Sequence, residues 1–113
     1  MEMKKVMMTM TMKTELCPAL MGALVVVTRG IHAEMKRDPQ FRDAVTQALA
    51  RFQMLDWGDT CAEDVQTNTE CLETHDRLFA VYLTCNGKIY IIADPAANGQ
   101  KYKYITVLYP SEY

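Results

Sequence analysis

The sequence predicts an α+β domain ordered β-α-α-β-β-β, a small antiparallel sheet with helices packed on one face. Three features predict it. Phe41, Ala44, Val45, Ala48, Leu49 and Phe52 recur at i, i+3, i+4 spacing, which sets one apolar stripe along a helix. Asn86-Gly87 stands between two β-rich runs, Leu78 to Leu83 and Ile89 to Ile92, the pattern of a hairpin. The chain has 113 residues, 50% of them apolar and 23% charged. That length suits one buried core and is too short for two ordinary domains.

Six of the nine methionines lie between residues 1 and 12. Residues 1–18 read as a flexible, Met-rich leader and 19–113 as the single domain. The start imitates an export signal, but Thr9, Thr11, Lys13, Thr14 and Glu15 interrupt it. The run from Ala19 to Val27 ends in Thr28-Arg29-Gly30 rather than in a small-residue cleavage site. The expected compartment is therefore cytoplasmic, with reduced thiols. No apolar run approaches the ~20 residues that span a bilayer.

Leu24-Val25-Val26-Val27 reads as a strand buried on both faces. Ile31 to Arg37 can form one or two helical turns. Asp38 suits a helix N-cap and Pro39 the first helical position, so the amphipathic helix should run from 39 to about 54. Gly58 is expected to stop it. Thr60 and Glu63 have capping-box spacing ahead of a second helix, Cys61 to about Glu73, whose apolar stripe is thin: Cys61, Val65 and Leu72, with Thr69 or Asn68 between. Asn86-Gly87 predicts a type I′ turn. A loop from Asp94 to Gly99 leads to a last strand over Tyr102 to Tyr109, ended by Pro110. The tyrosines are expected to pave one sheet face. Cys85 is expected to pack as a small hydrophobe.

The formal charge is −2, from 14 acidic and 12 basic residues, which argues against direct nucleic-acid binding. Seven of the acids lie between Asp56 and Asp76 with no Lys or Arg among them: Asp56, Asp59, Glu63, Asp64, Glu70, Glu73 and Asp76. The rest of the chain is then about +5. Such a block is either a solvated helix face or a docking surface for a basic protein. Trp57, inside the block, is either a plug under the helix junction or an exposed interface anchor.

Cys71 and His75 are four apart and share a helix face, with Cys61 nearly three turns upstream. Together they are the candidate zinc ligands, although the spacing matches no standard finger. The plain alternative is a half-buried cysteine beside a surface histidine. A Cys71–His75 nucleophilic pair is disfavoured, because nearby acids raise a thiol pKa. No nucleophile elbow, phosphate-cradling Gly loop or H-E-x-x-H is present. The expectation is a chain that is not an enzyme. An exposed edge of the meander would let two copies pair as a homodimer.

Val27-Thr28-Arg29-Gly30, Trp57-Gly58-Asp59, Arg77-Leu78-Phe79-Ala80-Val81-Tyr82 and Lys88-Ile89-Tyr90-Ile91-Ile92 lead to a closing Thr106-Val107-Leu108-Tyr109-Pro110-Ser111-Glu112-Tyr113. This set resembles a family of small, uncharacterised bacterial proteins carried on plasmids, prophages and conjugative elements. The likeness covers residues 24–113. The W-G-D turn and the closing P-S-E-Y are its most specific marks, and the loop from Asp94 to Lys103 departs from it. The resemblance implies a mobile-element accessory protein and supplies no reaction. Joined to the acidic block, it gives the leading expectation, an inhibitor of a host defence nuclease (anti-CRISPR or anti-restriction). In that reading Asp56, Trp57, Asp59, Glu63, Asp64, Glu70, Glu73 and Asp76 meet a basic, nucleic-acid-handling enzyme. A small regulatory module, with or without zinc, stands second. A RelE-like ribonuclease toxin stands third, because only Lys88, Lys101 and Lys103 mark its strand region.

Overall fold

Where Leu24-Val25-Val26-Val27 forms the first strand, β1 (Leu24–Val27), three helices follow before the chain returns to the sheet. They are α1 (Arg29–Arg37), α2 (Pro39–Gln53) and α3 (Ala62–Thr74). The strands β2 (Leu78–Thr84), β3 (Gly87–Pro95) and β4 (Tyr102–Leu108) come next, and a 3-10 turn, Pro110–Glu112, closes the chain. The computed structural model describes residues 17–99 and 101–113. The leader expected over 1–18 lies outside that range except for Cys17 and Pro18. Those two residues belong to the fold: the Cys17 N–H donates to the Gln53 carbonyl at 3.0 Å. No helix among the described residues is long and apolar enough to cross a membrane.

The α+β class holds, and two details of the expected order change. Ile31 to Arg37 belongs to a nine-residue helix, α1, so three helices rather than two separate β1 from β2. The sheet is mixed, in the order β1-β4-β3-β2. The β2–β3 and β3–β4 pairs are antiparallel, while β1 lies parallel to β4, Leu24 opposite Tyr104 and Val27 opposite Val107.

Asp38 caps α2 as expected: its side chain accepts from the Gln40 N–H at 2.9 Å, and Pro39 takes the first position. Phe41, Val45, Ala48 and Phe52 are buried, which turns the apolar stripe onto the sheet. The helix stops earlier than Gly58. Leu55 adopts a left-handed conformation (φ 65°), and Asp56 N–H returns to the Arg51 carbonyl at 2.8 Å, a Schellman closure with leucine where glycine is usual.

The hairpin lies where Asn86-Gly87 placed it, with a different turn. Thr84 pairs with Gly87, and of the loop residues only Gly87 has positive φ, at 94°. A type I′ turn needs two such residues, so this is the geometry of an ordinary turn closed by a glycine bulge. Cys85, expected to pack as a small hydrophobe, is exposed in that loop.

One face of the sheet forms the core with the helices. Leu78, Ala80 and Tyr82 of β2, Ile89 and Ile91 of β3, and Ile105 and Val107 of β4 meet Ile31, Phe41, Val45 and Phe52. The tyrosines divide between the faces rather than paving one. Tyr82 and Tyr102 point into the core, where their hydroxyls donate to the Asp56 carbonyl (2.7 Å) and the Asp76 carbonyl (2.6 Å). Burial pushes the Tyr82 phenol far up and that of Tyr102 up to about 12, so both stay neutral donors. β1 is not buried on both faces: Leu24, Val25 and Val26 are all exposed. It is an edge strand, and its apolar run is the one a central strand would carry.

Candidate functional site

Asp56-Trp57-Gly58-Asp59 is a sheet-closing device. Asp56 accepts from Arg51 Nε at 2.9 Å and from the Gly58 N–H at 3.1 Å. The Arg51 guanidinium, with Gly58 adding, holds the Asp56 carboxyl below the usual range. Trp57 is 9% exposed and packs edge-on against Phe52, ring centres 5.3 Å apart. It is a core plug, and the interface-anchor reading of Trp57 is corrected. Gly58, at φ 63°, lies so close to β2 that a Cβ would come within 2.4 Å of the Tyr82 ring and 2.9 Å of the Val81 carbonyl. Both the conformation and the space demand glycine there.

That close approach lets the loop finish the outer side of β2. Asp59 N–H donates to the Val81 carbonyl at 2.8 Å, and the Asp59 carboxylate accepts from the Leu83 N–H at 2.9 Å. Thr60 Oγ1 accepts from the Val81 N–H at 2.9 Å and donates to the Trp57 carbonyl. The capping box expected of Thr60 and Glu63 is therefore absent. Cys61, not Thr60, is the N-cap of α3, and it makes no side-chain cap.

Asn68 completes the edge. It is 2% exposed, the one buried polar side chain among the described residues. Its Nδ2 donates to the Phe79 carbonyl (2.8 Å), and its Oδ1 accepts from the Phe79 N–H (3.1 Å). The side-chain amide thus stands in for a neighbouring strand. Sequence reading set Asn68, or Thr69, between Val65 and Leu72 on the thin stripe of α3 and gave it no role; the structure selects Asn68.

The second element that sequence reading left without a role is Glu112. One carboxylate oxygen accepts from Thr28 Oγ1 (2.6 Å) and the Tyr109 N–H (3.0 Å), the other from the Gly30 N–H (3.0 Å). Thr28, the N-cap of α1, makes no cap of its own, so Glu112 satisfies this helix start from 82 residues away. A Cβ at Gly30 would meet the Glu112 carboxylate at 2.7 Å, so a larger residue there would push that carboxylate off the helix start. Thr28 leads in holding the Glu112 carboxyl below its ordinary range, with the Tyr109 and Gly30 amides adding. The W-G-D turn and the P-S-E-Y ending are thus both fold-closing contacts.

With Asp56, Trp57 and Asp59 committed to the fold, the acidic set reduces to Glu63, Asp64, Glu70, Glu73 and Asp76. Glu63, Glu70 and Glu73 are exposed on one outer stripe of α3, interleaved with Gln66, Thr67 and Thr74. Among the described residues the ion pairs are Arg37–Glu34, Arg51–Asp56 and Arg77–Asp94, and none engages a carboxylate of α3. Glu63 and Asp64 sit in the first turn, where the helix dipole favours them. Glu70, Glu73 and Asp76 crowd the opposite, negative end, and no basic residue occupies the last turn.

The three zinc candidates do not converge. Cys61 stands at the start of α3, while Cys71 and His75 stand at its end, about 15 Å away along the axis. No three His, Cys, Asp or Glu side chains among the described residues group so as to hold a metal. His75 instead closes the helix in a left-handed conformation (φ 59°), with Nδ1 2.7 Å from the Gly99 carbonyl. Burial raises the Cys71 thiol pKa and Asp76 and Glu70 raise it further, so this sulfur is a poor nucleophile at neutral pH. An open cavity of about 440 Å³ beside His75 is lined by Cys17, Pro18, Ala19, Leu72 and Lys101.

These features define a two-layer α+β domain whose mixed sheet has one side-chain-closed edge flanked by an acidic helix. Compared with protein-family models, curated proteins and solved structures, the chain matches none.

Proposed function

We propose that this chain is a cytoplasmic binding protein whose acidic α3 docks on a basic, nucleic-acid-handling enzyme and blocks it, as a mobile element's answer to a host defence nuclease. One observation carries the reading. Glu70, Glu73 and Asp76 gather at the negative end of the α3 dipole with no ion pair to a cation among the described residues, an arrangement that costs folding stability. Carboxylates that weaken their own helix and make no ion pair with the described residues suit an external cation. The stripe from Glu63 to Glu73 is about 15 Å long, enough to lie along a phosphate-binding groove. The mobile-element setting rests on the family resemblance, and the action is binding rather than catalysis.

The test is plasmid cleavage by purified restriction and CRISPR nucleases, with this protein titrated in. Inhibition should weaken as salt rises and should fall at least about tenfold in a Glu63→Gln, Glu70→Gln, Glu73→Gln variant. Folded protein that inhibits no nuclease in the panel removes the proposal. Inhibition that ignores both salt and the triple substitution removes α3 as its surface.

A further inference from the structure

The helices cover one face of the sheet, and the other face carries aromatic rings with lysines beside them. Phe79 of β2, Tyr90 of β3 and Tyr104 of β4 project away from the core. Tyr90 and Tyr104 stand on the two central strands, and Tyr113, 73% exposed, sets its ring 6.1 Å from that of Tyr90. Tyr104 is 39% exposed, while Ile92 and Leu108 of the same face are already buried in the monomer and form its floor.

Each central tyrosine has a lysine next to it. Register sets Asp94 opposite Tyr104 and Pro95 opposite Tyr102, so Lys103 is the extra residue of a β-bulge. The bulge turns Lys103 to the outer side, where its ammonium lies 5.4 Å from the centre of the Tyr104 ring. Lys88, exposed and two residues from Tyr90, faces the same way. Asp94, the outward acid of the described strands, is paired with Arg77 at 2.7 Å. Thr106 puts a hydroxyl group on the face between the two tyrosine rows.

This pattern selects the occupant. An aromatic ring offers a stacking surface to any base, and an ammonium beside it meets the phosphate. Tyr90 lies opposite Leu108, four residues along β4 from Tyr104, so the two stacking places are about 14 Å apart. That is about four times the 3.4 Å rise between stacked bases, so the bound strand is extended and unstacked. A duplex does not fit. Three strand spacings of about 4.8 Å make the sheet backbone alone about 14 Å wide, and a major groove is about 12 Å wide. The formal charge of −2 averages two unlike parts, because seven of the 14 acids lie between Asp56 and Asp76.

We infer that the outer sheet face is a platform for single-stranded nucleic acid, with bases on Tyr104 and on the Tyr90–Tyr113 pair and phosphates at Lys103 and Lys88. The surface is separate from the acidic stripe of α3, and its test does not depend on nuclease inhibition.

The experiment is fluorescence anisotropy of labelled oligothymidine and oligouridine of about 12 nucleotides, and of a duplex of the same length, titrated with the full-length protein. Thermal melts confirm that each variant is folded. Both single strands should bind at least about tenfold more tightly than the duplex. Binding should weaken with salt at a logarithmic slope of about −1.4, from two phosphate contacts at about −0.7 each. Tyr104→Ala should cost at least about fivefold in affinity, and Lys103→Gln should flatten the salt slope by about 0.7. Arg42→Gln removes an exposed cation from the helix layer and should leave affinity within about twofold. No binding of either single strand at low salt overturns the inference. Binding that Tyr104→Ala leaves unchanged, or that Arg42→Gln weakens as much as Lys103→Gln does, also overturns it, because the contact is then diffuse charge. If no strand binds and Tyr104→Ala breaks a dimer seen by light scattering, a second copy is the occupant and the inference falls.

Discussion

At one edge of the sheet, the backbone of β2 is met group by group: Phe79 by Asn68, Val81 by Thr60 and Asp59, Leu83 by Asp59. At the other edge, β1 presents Leu24, Val25 and Val26 at 36–59% exposure, on both faces. Unpaired strand edges invite association, and proteins commonly blunt them with charge, proline or a covering loop. This chain blunts β2 with short polar side chains and leaves β1 apolar. The comparison separates polar residues that build the fold from those free to serve a partner. Asp59 and Asn68 fall in the first class, Glu63, Glu70 and Glu73 in the second, although all five belong to one polar stretch of sequence.

The largest expected effect lies at the closed edge. Asn68→Ala removes the partners of both backbone groups of Phe79, its N–H and its carbonyl, on the side of β2 that α3 covers. Each buried group left unsatisfied costs about 1–3 kcal/mol, so the loss should be about 3 kcal/mol in urea unfolding. That corresponds to roughly 10–20 °C in Tm. Asn68→Asp keeps the acceptor for the Phe79 N–H, loses the donor and buries a charge, so it should not rescue. A loss under about 1 kcal/mol would mean that water replaces the amide, and the edge would then not be closed by design of the sequence.

What was legible in the sequence divides along the same line. α2 was legible to within a residue because its signals are local: the Asp38 cap, Pro39 and the Phe41–Phe52 stripe all act within one helix. The hairpin position was legible for the same reason. Thr60 was misread because its hydroxyl serves Val81, 21 residues away, instead of its own helix. β1 looked like a central strand because its composition is apolar, and composition does not say whether a second neighbour arrives. The acidic block was visible as a block. Its division into Asp56 and Asp59, held by the fold, and the outer stripe of α3 needed the positions of Arg51 and β2. The zinc set failed on distance alone, since Cys61 and Cys71 occupy opposite ends of one helix.

A middle-sized effect is expected where the chain ends tie together. Glu112 holds the start of α1 through Thr28 and Gly30, a cap replaced across the fold. Its folded pKa lies below the unfolded value near 4.5. The linked stability is therefore fully present above pH 4.5 and is lost as pH falls through the lower, folded pKa. Because the carboxylate is solvent-exposed, the effect should be about 1 kcal/mol, at the ordinary level of a helix cap. Glu112→Gln should lose about that much at pH 7 and show a flatter stability profile between about pH 5 and pH 3. Parallel profiles for the two proteins would sink the linkage.

The smallest effect should come from the bare edge, and its smallness is the sharpest check on the comparison. Val25→Thr keeps β-branching and volume, and its side chain is already 40% exposed. If β1 has no covering partner in the monomer, the hydroxyl finds water and stability should change by less than about 0.5 kcal/mol. The measurement is urea unfolding at low protein concentration, where association contributes nothing. A loss near 2 kcal/mol would instead match a threonine forced into an apolar contact. It would mean that something covers this edge in the folded chain, and the two edges of the sheet would then differ only in what closes them.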